Sequence, residues 1–126
     1  MKLAIASAIT TASIMLAANA AATEMPDLAK KNGCTACHAI DKKVVGPAWI
    51  DVSKKYKDAT KYKYAKNGSD APDAKEYPLV QGLMLKVSKG GHGNWGSVDM
   101  TANDPSGKKQ PAIKKLVKFI LGLAKK

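Results

Sequence analysis

Two thiols and an imidazole stand together in Cys34-Thr35-Ala36-Cys37-His38. Thiols three positions apart can form thioether bonds to the two vinyl groups of one haem, and the histidine that follows is then placed under the iron. Cys-x-x-Cys-His is a c-type haem attachment signal. A pattern this short also arises by chance, so its weight depends on the compartment the chain reaches.

The second axial ligand decides what such an iron does. With one histidine it is open to oxygen, peroxide and small ligands; with two strong ligands it carries electrons instead. Beyond the first 22 residues the sulfur and imidazole candidates are Met25, Met84, Met100 and His92, with lysine a rarer choice. Met25 lies too close before the Cys pair to fold over the other haem face. Met84 falls on an apolar helical stripe, where filling the core explains it. Met100 sits in Trp95-Gly96-Ser97-Val98-Asp99-Met100-Thr101-Ala102-Asn103, which has no helical stripe to join. A thioether with no packing pattern to explain it is favoured as the distal ligand over His92, whose Gly91-His92-Gly93 setting also suits a solvent-exposed ring. The soft sulfur would favour ferrous iron and give a higher potential than two histidines.

The elements that must hold these groups begin with a leader. Lys2 precedes an apolar stretch from Leu3 to Leu16, and Ala18-Asn19-Ala20 and Ala20-Ala21-Ala22 both fit the small-x-small cleavage rule. Residues 1–22 are predicted to be a signal peptide cut after Ala20 or Ala22. The apolar run is too short for a stable membrane anchor. Residues 23–126 then form one small domain. Export fits the motif, because bacteria attach haem covalently outside the cytoplasm; the expected location is the periplasm.

The net charge is +11 with lysine as the basic residue throughout and no arginine. That argues against a nucleic-acid reader, which would favour the bidentate guanidinium. A lysine surface can still steer acidic proteins over long range. Helical spacing predicts short helices from about Met25 to Gly33, over Ala48–Lys57 with Trp49, Val52 and Tyr56 on one face, from Leu79 to the Gly90-Gly91 stop, and from about Gln110 to Ala124. The last carries Ile113, Leu116, Val117, Ile120 and Leu123 as a stripe. Asp58 to Pro78 reads as loop: Lys61, Lys63 and Lys66 alternate with Tyr62, Tyr64 and Ala65, and a strand or nucleic-acid surface is the minor alternative. No strand is expected elsewhere, so the fold class is all-α, with four or so short helices wrapped around one haem.

These residues resemble a short bacterial class I cytochrome c, the monohaem periplasmic electron carrier of denitrifying and nitrifying bacteria. The likeness runs through Asp27-Leu28-Ala29-Lys30-Lys31-Asn32-Gly33-Cys34, Cys37-His38-Ala39-Ile40-Asp41 and Lys43-Val44-Val45-Gly46-Pro47-Ala48. It resumes at Gly93-Asn94-Trp95-Gly96, Met100 and Asn103, and closes at Lys118-Phe119-Ile120-Leu121. The resemblance implies one covalent haem c on Cys34 and Cys37, with His38 and Met100 as the axial iron ligands. It also implies a Pro47 carbonyl that orients the His38 ring, an Asn103 contact to the methionine sulfur and a Trp95 N–H on a haem propionate. The chain departs from the family at Asp99, Thr101 and Ala102, where prolines often flank the methionine, and at Phe119, where a tryptophan is usual. Its segment before Leu79 is longer than usual.

The implied function is a soluble, monomeric one-electron shuttle whose partners are a reductase or oxidase with acidic docking surfaces, not an enzyme. The alternative is a haem enzyme or gas sensor with a labile distal ligand. A thiol oxidoreductase or zinc site on Cys34 and Cys37 lacks the expected βαβ pattern and a nearby fourth ligand.

Overall fold

The computed structural model describes residues 26–125. The leader, its cleavage site and Met25 lie outside them. In chain order the elements are α1 (Asp27–Lys31), a 3-10 turn (Cys34–Ala36), α2 (Trp49–Lys55), β1 (Lys61–Tyr64), β2 (Lys75–Pro78), α3 (Leu79–Lys89), α4 (Gln110–Gly122) and a closing 3-10 turn (Leu123–Lys125).

Helix α1 is shorter than its spacing suggested. Pro26 caps it, Asp27 meets the positive end of its dipole, and the Asn32 amide donates to Leu28 O (2.8 Å) at its end. Gly33 then adopts φ 73°, a left-handed turn open to glycine, and sends the chain straight into the Cys34–Ala36 turn. Helix α3 likewise starts behind a proline, Pro78, and stops at Gly90 with φ 73°.

The 58–78 segment corrects the expectation of loop. Lys61–Tyr64 and Lys75–Pro78 pair antiparallel, Tyr62 opposite Tyr77 and Lys63 opposite Glu76. The Lys-Tyr alternation is a strand with a period of two. Tyr62 and Tyr64 turn inward and are buried, while Lys61 and Lys63 face solvent. Four residues gave too short a run for the period to stand out, and lysine on one face hid the apolar half of the pattern.

The core is in two parts. Tyr62, Tyr64, Leu83, Ile113 and Val117 form one cluster, between the hairpin, α3 and α4. Ala29, Trp49 and Leu116 form the other, between α1, α2 and α4. Adjacent Leu116 and Val117 make α4 the common wall. Ser53, fully buried on α2, ties that helix to the chain end: its hydroxyl donates to Leu121 O and accepts from Ala124 N, both at 2.9 Å.

Candidate functional site

A cavity of about 590 Å³ opens between the two core clusters, with Trp49 and Leu116 from one and Tyr62, Leu83 and Val117 from the other on its walls. Cys34, Cys37, His38, Pro47, Trp95, Met100 and Asn103 all line it, although they come from distant parts of the sequence. His92 lines it too, whereas Met84 packs beside the Leu83 cluster and is not on the lining.

On the N-terminal side, the Cys34–Ala36 turn presents both thiols, which are not joined as a disulfide; Cys34 is half-buried and Cys37 exposed. Burial pushes the Cys34 thiol up, and a backbone hydrogen bond and Lys109 only partly oppose it. The loop after the motif folds back on it. Val45 N and Gly46 N both donate to Cys37 O (3.2 and 2.8 Å), and Trp49 N donates to Ala39 O (3.0 Å). This brings the Pro47 carbonyl 2.9 Å from His38 Nδ1. A carbonyl only accepts, so Nδ1 carries the proton and Nε2 keeps its lone pair free. Trp49 stacks on the same ring at 5.9 Å between centroids. Gly46 lies against the ring as well: a Cβ there would overlap His38 Cε1 and lie 2.9 Å from Nδ1.

On the C-terminal side, Met100 is held by its main chain. Gly91 N donates to Met100 O and Met100 N to Gly91 O, both at 2.9 Å. A Cβ on Gly90 would overlap Met100 O, and one on Gly91 would overlap Lys66 O, so the close approach depends on glycine. Asn103 braces the loop, its side-chain amide donating to Thr101 O (2.9 Å) and Val87 O (3.3 Å). Asp99 stands exposed beside Met100 and accepts from His92 Nδ1 at 2.6 Å.

Trp95 is 41 % exposed at the cavity mouth, with Lys55 Nζ 4.4 Å from its ring centroid and donating to Asn94 O at 2.7 Å. Exposed Val45 and Val98 join it there.

Lys86 is the site residue that sequence reasoning passed over. It is buried on α3, lines the cavity and donates to Gly91 O at 2.5 Å. Burial pulls its pKa down and Asp99 partly opposes this. A lysine on the apolar stripe of Leu79, Leu83 and Val87 was the available signal, since a buried ammonium needs a compensating partner. Among the described residues no group of three or more His, Cys, Asp or Glu could hold a metal ion by itself, which leaves Cys34 and Cys37 without the partners of a zinc site.

The residues fit a covalent haem. Two free thiols precede a histidine with one committed ring nitrogen, and the apolar walls separate two core clusters that a flat apolar group would join.

No protein-family model matches the chain. Individual relatives do. It is 41 % identical over 98 residues to cytochrome c-551 of Allochromatium vinosum, covering 76 % of this chain and 82 % of the relative. To cytochrome c-552 of Hydrogenobacter thermophilus it is 38 % identical over 96 residues, covering 76 % and 78 %. The crystal structure of wild-type Nitrosomonas europaea cytochrome c552 superposes with a TM-score of 0.55 at 35 % identity, covering 77 % of this chain and 96 % of that one.

Proposed function

The chain belongs to the small class I cytochromes c and carries covalently bound haem c, and from that premise we propose that it is a periplasmic one-electron carrier with His38 and Met100 on the iron. Cytochromes of this family carry electrons between redox partners. Bound here, haem c supplies reversible one-electron chemistry at its iron. In this reading Cys34 and Cys37 hold the group through thioether bonds. Pro47 fixes the tautomer and angle of His38, as metal-bound histidines usually require. Met100 closes the remaining position with sulfur, which keeps substrates off the iron and favours the reduced state.

The observation that carries the reading is the His38 Nδ1 to Pro47 O bond of 2.9 Å within a cavity that Met100 also lines. Around the mouth, Trp95, Val45 and Val98 give an apolar rim, flanked by Lys43 and Lys55. Such a rim suits brief, salt-sensitive encounters with an acidic reductase or oxidase. Trp95 and Lys86 would serve the propionates, and Lys86 gains from an anion the compensation its burial demands. Asn103, spent on two carbonyls, holds the Met100 loop in place for a sulfur contact. The domain is residues 23–126 after removal of residues 1–22. Among the described residues no helix is long and apolar enough to cross a membrane.

The test is the far-red absorption of the oxidised protein, where a weak sulfur-to-iron band reports methionine ligation. Met100→Ala is expected to abolish the band and Met84→Ala to keep it. A band that survives Met100→Ala sinks the ligand assignment.

A further inference from the structure

The hairpin gives Tyr62 to the cavity just described, and with neighbouring segments it also builds a second, open cleft of about 590 Å³. Lys66, Lys75 and Lys89 line this cleft, each exposed and each from a different stretch of chain. None of the three lines the haem cavity. Among the described residues the salt bridges are Lys61 with Glu76 and His92 with Asp99, so these three ammonium groups share a recess without acidic partners. Asp73 is the single carboxylate on the lining. Tyr64 and Tyr77 add aromatic surface and a hydroxyl, with the Tyr64 OH tied to Gly90 O at 3.0 Å.

We propose that this cleft docks an acidic segment of a partner protein, as a second contact separate from the haem edge. The inference deepens the carrier reading and rests on it for the need of a partner. Three exposed lysines around one cleft attract carboxylates and orient the approaching molecule. A recess between tyrosines accepts a chain segment better than the flat surface of an anionic bilayer.

The cleft also borders the stretch that follows Met100. Ala102 and Pro105, on the stretch just after Met100, complete the lining. Lys66 O accepts from His92 N at 3.0 Å, one residue from the Gly91–Met100 pair. An occupant therefore lies against the segment just after Met100.

The experiment titrates the reduced haem-loaded protein with hexaglutamate peptide at low salt, following backbone amide shifts by NMR. Two variants are compared: Lys66→Gln/Lys75→Gln/Lys89→Gln, and the control Lys114→Gln/Lys115→Gln/Lys118→Gln with the same charge change on α4. Saturable shifts at Tyr77 and Ala102 are expected, with affinity falling about five-fold or more in the cleft variant and less than about two-fold in the control. Equal losses in both variants mean that net charge alone attracts the peptide, and overturn the proposal. So does an absence of shifts at Tyr77 and Ala102, or a cleft-dependent affinity seen for phosphatidylglycerol vesicles but not for the peptide. The Soret band and circular dichroism of each variant are recorded first. A preparation without haem refutes the carrier reading, whereas a normal spectrum with no peptide binding refutes only the cleft.

Discussion

Gly46 does not adopt the left-handed backbone that favours glycine, but it has no room for a side chain, because a Cβ would overlap the His38 ring. Gly46→Ala must push the imidazole away from Pro47 or lift the loop off Cys37. Overpacking of this kind costs about 1–3 kcal/mol. Guanidinium unfolding of the haem-loaded variant is therefore expected to show a lowered midpoint with an unchanged slope; a midpoint equal to that of the parent would mean that the loop yields freely. The chemistry-bearing residues were legible at this scale for definite reasons. Cys34, Cys37 and His38 fall within one short turn of chain, so their spacing is itself the geometry. Met100 stood out because no helical stripe explained it. Lys86 was hidden by the opposite circumstance: it sits inside a good stripe, and its burial shows only once the chain turns at Gly90 and brings Gly91 O onto its ammonium.

Among the elements, α4 shows how a helix start is stabilised from outside its own residues. Lys109 provides no side-chain cap. Instead the buried Asp104 accepts from Lys109 N (2.9 Å) and from the Gln110 side chain (2.8 Å), which also reaches Ser88 on α3. Burial alone would raise the Asp104 pKa, but these hydrogen bonds and the charge of Lys109 override it and hold the carboxyl below its ordinary 3.8. Its stabilising contribution is thus complete above the unfolded value and is lost as pH falls through the lower folded value. Thermal melting is expected to weaken as acid reaches the carboxylate range, while Asp104→Asn, which sets an amide against the Gln110 amide, starts less stable and flattens that acid limb. An equally steep limb in the variant would place the acid sensitivity elsewhere. Helices α2, α3 and α4 were readable because each buries residues at a spacing of three and four, whereas α1, which buries Ala29 alone, was marked by Pro26 and Asp27 at its start. The hairpin was not, because its inward tyrosines and outward lysines amount to only two turns of a two-residue period, and its partner strand carries a proline and a glutamate.

For the molecule as a whole, the divided core is the decisive property. Ala29, Trp49 and Leu116 are a small cluster, and the cavity separates them from Tyr62, Leu83 and Val117. A domain of this size has little apolar area to spare. A haem filling the gap buries several hundred Å² of apolar surface, worth on the order of 10 kcal/mol as an upper bound at roughly 25 cal/mol per Å². Protein bearing Cys34→Ala and Cys37→Ala, purified without haem, is expected to lose most of its far-ultraviolet helical signal. Native ellipticity in that protein would show that the polypeptide folds unaided. The sequence pointed to a thin core through its length and its short stripes. It did not reveal that the core is split, since Leu116 and Val117 are neighbours in one stripe and diverge only when α4 meets a different partner on each side.

The Gly91–Met100 pairing carries a last implication. The distal loop takes its path from peptide groups: Gly91 and Met100 bind each other, Lys66 O holds His92 N, and Asn103 N reaches Val87 O. Ser97 and Val98 are exposed and make no hydrogen bond along this route, whereas Asp99 is tied into it by accepting from His92 Nδ1. Substitution at Ser97 or Val98 can therefore add charge beside the cavity mouth without disturbing the peptide hydrogen bonds that place Met100, whereas a change at Asp99 also frees His92. With Met100 on the iron as proposed, those two positions would leave evolution a dial for redox tuning kept apart from the backbone that holds the ligand.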